Sequence, residues 1–216
     1  MTHRPGLCKG AVCKGPGLRG APYPCQLTAM QSTGIPEKIT TKEAFLAWLE
    51  AQGVAHETRE HEPLHTVEEA RAARALWGEP WTQGGHCKNL FLKDKKGALF
   101  LVVTLEDRAL RLNHLGKPLG AARLSFANAD LLWEVLGVRP GSVTPFAAVN
   151  DQPPRVTVVL DAPMLAHDRL HYHPLDNRAT TAISRDGLLA VLHATGHKPI
   201  ILDLVEAAGD GSSDGH

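Results

Sequence analysis

Apolar residues alternate between two spacings along this chain. They recur every three or four positions in some segments and crowd into short runs in others. Thr40-Thr41-Lys42-Glu43 has the form of a capping box, with Phe45, Leu46 and Leu49 on one helical face and Gly53 as the stop. A second box, Thr66-Val67-Glu68-Glu69, opens an alanine-rich helix that ends near Trp77-Gly78. The period then changes. Asn89-Leu90-Phe91-Leu92 and Leu99-Phe100-Leu101-Val102-Val103 flank Lys95-Lys96-Gly97 and predict a β-hairpin. A short strand near Ala109 to Leu112 and a helix from about His114 are expected next. Asn128 caps a helix to Leu136, with Leu131, Leu132, Val135 and Leu136 apolar and Gly137 behind. Alternating Val156, Val158 and Leu160 predict a half-buried strand, and Thr180 to Ile183 is rich in β formers. Ser184 caps a helix from Gly187 to Ala194 that Gly196 ends, and Pro199 to Leu204 supplies a last strand.

Helices and strands interleave, and several strand connections are too short for crossovers. That pattern predicts one mixed α+β domain over residues 37–206. Residues 1–36 hold six Gly and five Pro and no acidic residue, so they read as a disordered N-terminal extension. Residues 207–216 read as an acidic disordered tail.

Composition narrows the class. With 43% hydrophobic and 21% charged residues the chain is ordinary for a globular protein. No stretch approaches the roughly 18 uninterrupted apolar residues of a membrane span. Cys8, Cys13, Cys25 and Cys87 form neither a disulfide framework nor a C-x-x-C pair, so a reducing cytoplasm is the expected compartment. Net charge is zero, yet Lys88 to Arg123 carries eight basic residues against three acidic ones. A basic middle suits a partner with phosphates touched over a small footprint, or a solvated hairpin surface.

The chain has no G-x-S-x-G elbow, no H-E-x-x-H and no phosphate-binding P-loop. Its 12 histidines form no convincing metal set, and no metal or cofactor is expected. Lys88 shares its strand face with Leu90 and Leu92, so it either snorkels from the strand end or stands in a cavity. Cys87 has no flanking histidine to make a thiolate pair. Gly141-Ser142-Val143-Thr144-Pro145 is a turn whose closely spaced backbone N–H groups could face a carbonyl. His173 precedes Pro174 and is therefore extended.

The run Tyr172-His173-Pro174-Leu175-Asp176-Asn177-Arg178-Ala179-Thr180-Thr181-Ala182-Ile183 completes a pattern with Cys87-Lys88-Asn89-Leu90-Phe91-Leu92 and Gly141 to Pro145. In this order, from about Ile39 to about Leu204, the chain resembles the freestanding aminoacyl-tRNA deacylases related to the editing domain of bacterial prolyl-tRNA synthetase. The branch it resembles hydrolyses alanine mischarged onto proline tRNA. The resemblance implies a curved, barrel-like, mostly antiparallel sheet flanked by helices. It implies that Lys88 binds the anionic 3′ end and terminal ribose, with Asn89 as a neighbouring polar contact. It implies that the loop of Gly141, Ser142, Val143, Thr144 and Pro145 shapes a small pocket and holds the ester. His173 would line the aminoacyl pocket and orient the α-amino end. Water would attack with help from the ribose hydroxyl. The expected partner is the acceptor end of tRNA(Pro), and a partnership with prolyl-tRNA synthetase follows only from the resemblance. Cysteine or serine as the acyl group, or binding of the acceptor end without hydrolysis, are the alternative readings. His61-Glu62-Pro63-Leu64-His65-Thr66 departs from the family's usual run before the second helix, at the pocket rim.

Overall fold

A computed structural model describes residues 38–64 and 66–209. The expectations for 1–36, for His65 and for 210–216 therefore lie outside the described residues.

Five α-helices and eight strands order these residues, with short 3-10 turns between them. Helix α1 is Lys42–Ala51 and strand β1 is His56–Glu60. Helix α2 is Val67–Trp77, followed by the hairpin of β2 (Gly85–Asp94) and β3 (Leu99–Leu105). Strand β4 is Leu124–Phe126, α3 is Ala129–Leu136 and β5 is Val156–Asp161. Strands β6 (Arg169–Tyr172) and β7 (Ala179–Ser184) lead into α4 (Arg185–Ala194), then β8 (Ile200–Leu202) and α5 (Leu204–Gly209).

The strands form one mixed sheet in the order β1-β7-β6-β2-β3-β5-β8, with β4 paired to β2. Antiparallel pairing dominates, but β6 runs parallel to β2, and β3, β5 and β8 run parallel to one another. The sheet is open, since β1 and β8 are its two ends, so the expected barrel-like curvature does not reach closure. Strand β2 serves two neighbours along one edge. Gly85 and His86 pair with β6, whereas Leu92 to Asp94 pair with β4.

Both faces of the central strands are covered. Leu99, Leu101 and Val103 point into a large core with Phe45, Leu49, Leu136, Phe146, Leu188 and Leu192. Phe100 and Val102 point the other way, toward Leu92, Leu115, Leu124, Val159 and Leu204. Each such buried side chain contributes about 1.5–3 kcal/mol of transfer free energy. Double coverage also corrects the half-buried reading of β5, which lies between β3 and β8 and is buried along most of its length.

Local signals placed several termini correctly. Thr66 accepts from Glu69 N and Glu69 returns the bond to Thr66 N, the reciprocal box expected there. Asn128 caps α3 and Gly137 ends it at φ 65°. At α1 the box is displaced by one residue. Thr41 is the cap, and the position that would return the bond is Ala44, which cannot. Residues 109–112 form no strand. A 3-10 turn at Leu112–His114 stands where a helix was expected, because Gly116, Pro118 and Gly120 interrupt the segment. Helix α5 continues through 207–209, residues read from sequence as tail.

Candidate active site

A cavity of about 400 Å³ opens between α2 and the first half of β2. Val67, Ala70, Arg74 and Trp77, one row along α2, form one wall, and His86, Cys87, Lys88 and Asn89 form the facing one. Gly141 and Val143 close one side, and His171, Tyr172, His173 and Asn177 another. None of the α2 residues is fully buried, so this row faces the cavity instead of the core.

Lys88 stands in the cavity wall, which decides between its two sequence-level placements. Its Nζ donates to Glu106 O at 3.1 Å and Arg108 O at 2.5 Å. An ammonium has three donors, so one is left for a ligand. The two carbonyls are held by ion pairs made by their own side chains. Glu106 is clamped by Arg71 Nε at 3.0 Å and Arg74 Nη2 at 2.7 Å, both from α2. Arg108 pairs with Asp161 at 3.0 Å and with Asp203. Asp161 is fully buried and also accepts from Thr104 Oγ1 at 2.6 Å.

The Gly141–Pro145 loop divides by side. Gly141, at φ 92°, adopts a left-handed conformation that favours glycine, and with Val143 it faces the cavity. Asn89 Nδ2 donates to Val143 O at 2.9 Å and ties the loop to β2. Ser142 turns away into a neighbouring depression, and its N–H bonds to Arg139 O at 3.0 Å. Thr144 and Pro145 are buried behind the loop, where Thr144 caps the 3-10 turn that starts at Pro145. Of the five loop residues read as substrate-facing, only Gly141 and Val143 reach the cavity. Neither of their N–H groups bonds to another described residue.

His173 donates Nδ1–H to Ala179 O at 3.0 Å, because a carbonyl can only accept. Burial lowers its pKa, so the ring is neutral and Nε2 is left as an acceptor. Cys87 bonds to Tyr172 OH at 3.6 Å, and burial pushes its thiol up to about 12, which removes it as a nucleophile at neutral pH. Thr180 lines the cavity and meets His61 Nε2 at 2.9 Å, whereas Thr181 packs inside against Thr58 at 2.8 Å.

Several lining residues escaped sequence reasoning. Asn177 Nδ2 donates to Leu64 O at 2.9 Å, and its Oδ1, like Asn89 Oδ1, is buried without a partner among the described residues. His86 Nε2 and His171 Nδ1 are in the same condition. A two-residue step back from Lys88 and from His173 along their strands reaches both histidines, which is the signal that could have found them. Buried acceptors without partners thus belong to residues of this wall, which also carries the cations Lys88 and Arg74.

Comparisons with known proteins identify the family and the fold. Residues 61–191 match the family model of the aminoacyl-tRNA editing domain. The chain is 43% identical over 145 residues to prolyl-tRNA synthetase associated domain-containing protein 1 of Danio rerio, covering 66% of this chain and 76% of that one. It is 33% identical over 160 residues to the prolyl-tRNA editing protein ProX of Acetoanaerobium sticklandii, covering 74% and 94%. A solved structure described as a trans-editing enzyme for prolyl-tRNA synthetase shares the fold, with a TM-score of 0.57 at 23% identity over 77% of this chain and 98% of that one.

Proposed function

The chain belongs to the aminoacyl-tRNA editing domain family, and from that premise we propose that it removes alanine from mischarged alanyl-tRNA(Pro) in trans. As a member it is a hydrolase of aminoacyl-tRNA esters; the acyl group and the tRNA are the proposed part. The reading is supported above all by the convergence of Lys88, Gly141, Val143 and His173 on one cavity.

Lys88 takes the terminal phosphate and ribose with its remaining donor. A point charge on a flexible stem suits that task. The ester carbonyl lies toward Gly141 and Val143. As water attacks, negative charge grows on that oxygen, and the two N–H groups stabilise it without reorganising; one such donor is worth about 100-fold in rate. His173 Nε2 accepts from the α-amino group and fixes the acyl end. No carboxylate or thiolate bonds to the His173 ring among the described residues, which fits proton transfer assisted by the substrate's own ribose hydroxyl. The water adds its oxygen to the carbonyl carbon, the ester C–O bond breaks, and the released ribose oxygen regains a proton. Alanine and tRNA(Pro) leave.

Size excludes proline. At about 400 Å³ the cavity is near the lower end of ordinary ligand sites, about 300–1,000 Å³, and it has to hold the terminal nucleoside as well as the acyl group. A pocket filled by a methyl side chain rejects a pyrrolidine ring sterically, whereas a synthetase rejecting the smaller alanine gains only about 1–3 kcal/mol per methylene. Prolyl-tRNA synthetase is the natural supplier of the substrate and the proposed protein partner.

Single-turnover deacylation of alanyl-, seryl-, cysteinyl- and prolyl-tRNA(Pro) tests this reading. Alanine is expected to be released and proline retained. Release of serine or cysteine with alanine left intact would reassign the substrate, and no release from any of them would sink the hydrolytic role.

A further inference from the structure

Among the described residues three charged side chains line the cavity, the cations Lys88 and Arg74 and the carboxylate Glu106. Lys88 comes from β2 and Arg74 from α2, so the two cations stand on facing walls. Both are anchored on Glu106. Arg74 Nη2 donates to its side chain at 2.7 Å, and Lys88 Nζ to its main-chain oxygen at 3.1 Å. Arg71 Nε donates to the same carboxylate oxygen at 3.0 Å. Two guanidiniums on one carboxylate leave a net positive charge, and Lys88 adds a second.

The two arginines differ in what they face. The Arg71 side chain is 56% exposed and does not line the cavity, whereas that of Arg74 is 12% exposed and does. A guanidinium carries five N–H donors in a planar fork. Arg74 makes its hydrogen bond among the described residues through Nη2 alone. Its Nε and Nη1 have no partner there, yet neither is shut off from solvent. Most of the fork is thus free to donate. Burial is the main cause of the lowered pKa values of His86 and His171, and the Arg74 charge, reaching both rings, adds to it. The rings stay neutral, and Lys88 and Arg74 are left as the positive groups of the cavity.

Resting on the reading above, we infer that Arg74 is a second ligand of the phosphodiester that precedes the terminal ribose. Its free N–H groups take one non-bridging oxygen, and Lys88 takes the other. An ammonium on a flexible stem holds a phosphate as a point charge and defines no plane. A guanidinium fork on the opposite side fixes the orientation of the group, and so where the ester lies relative to Gly141. A half-free guanidinium has two other uses, which are stacking on the terminal base and merely holding Glu106 in place. The charge of the phosphodiester separates all three.

The test is binding of acceptor-stem RNA whose 3′ end carries alanine through an amide, followed by fluorescence anisotropy. One RNA has the natural last linkage and the other a neutral methylphosphonate there. Arg74→Gln should raise the dissociation constant for the natural RNA about tenfold, as expected for a hydrogen bond between charged groups. The methylphosphonate should weaken the parent about 100-fold and Arg74→Gln only about tenfold. The salt dependence of Arg74→Gln should be shallower by about 0.7 in logarithmic slope. Arg71→Gln loosens the same grip on Glu106 from outside the cavity and should keep the full methylphosphonate penalty.

A full penalty in Arg74→Gln overturns the inference, and weaker binding of both RNAs alike would give the guanidinium to the base. A penalty that shrinks equally in Arg71→Gln overturns it too, since both arginines would then act through Glu106. Arg74→Lys keeps a charge to grip Glu106 and loses the fork, so it serves if the glutamine variant does not fold. It should bind the natural RNA about threefold more weakly than the parent, and parent-like binding would overturn the inference. A parent that binds the amide RNA but leaves the alanyl ester intact counts against hydrolysis and not against this contact. One that binds neither RNA overturns both.

Discussion

Histidine is buried in two places in this protein, with opposite consequences. His197, 3% exposed, lies under the turn before β5. Its Nδ1 meets Thr195 Oγ1 at 3.0 Å and its Nε2 meets Asp151 Oδ2 at 3.2 Å. Asp, His and a hydroxyl in sequence have the outline of a catalytic triad. Yet Asp151 Oδ2 also accepts Arg155 N and Val156 N at 2.7 Å each, and Thr195 Oγ1 bonds to Leu192 O at 2.9 Å. Both ring nitrogens are engaged, and this histidine does not line the cavity. At the cavity, His86 and His171 each keep a nitrogen unpaired. Residue type is the same in the two places, and His171 is about as deeply buried as His197; what separates them is whether each ring nitrogen has a partner among the described residues. A histidine with both ring nitrogens engaged fixes a fold, and one with a nitrogen to spare is the better candidate for a ligand contact.

Lys88→Ala should give the largest effect on this contrast. Single-turnover release of alanine should fall about 100-fold, the worth of a charged hydrogen bond, with the thermal midpoint nearly unchanged. An unfolded variant, or one with normal rates, would show that Lys88 belongs with the structural cluster. Asp151→Ala should do the reverse. Breaking the buried Asp151–His197 pair should destabilise the fold by about 3 kcal/mol in urea titrations, while the rate per folded molecule stays within about twofold. A loss of rate in the folded fraction would erase the distinction.

The smallest effect concerns acid. His86 and His171 have folded pKa values of about 3 and about 4 against an ordinary 6.5. Between those limits the unfolded chain binds more protons, so stability falls as pH drops below 6.5 and is flat above it. The urea midpoint should be lower at pH 6 than at pH 7.5, and His171→Phe should reduce that drop. His173, also lowered by burial, adds to the drop in the same direction, whereas the depressed carboxylates Asp94, Asp151 and Asp203 act only nearer their usual 3.8. A midpoint that does not move between pH 7.5 and 6 would mean that all three rings take up protons as readily when folded.

What the sequence revealed follows the range of the forces involved. The Thr66–Glu69 box, the Asn128 cap and the β2–β3 hairpin depend on residues within a few positions of one another, and all were legible. Strands β1 and β6 were not. His-Glu-Thr-Arg-Glu and Arg-Leu-His-Tyr are short and polar, and become strands only because β7, far along the chain from β1, pairs with both. In the site, Lys88, Asn89, Gly141, Val143 and His173 line one cavity. Ser142, Thr144 and Pro145 fall behind or outside the cavity because consecutive loop residues cannot all face one way. His86 escaped notice because it reaches the cavity beside His171 through a cross-strand pairing of β2 with β6 that no local pattern announces.

The lysine's attachment to main-chain oxygens has one more consequence. The Glu106 carboxylate beside it is turned toward Arg71 and Arg74, and Lys88 has no ion pair among the described residues. Dipoles orient the ammonium without neutralising it. An anion arriving there need not evict a resident counter-anion, so the full positive charge is available at first encounter.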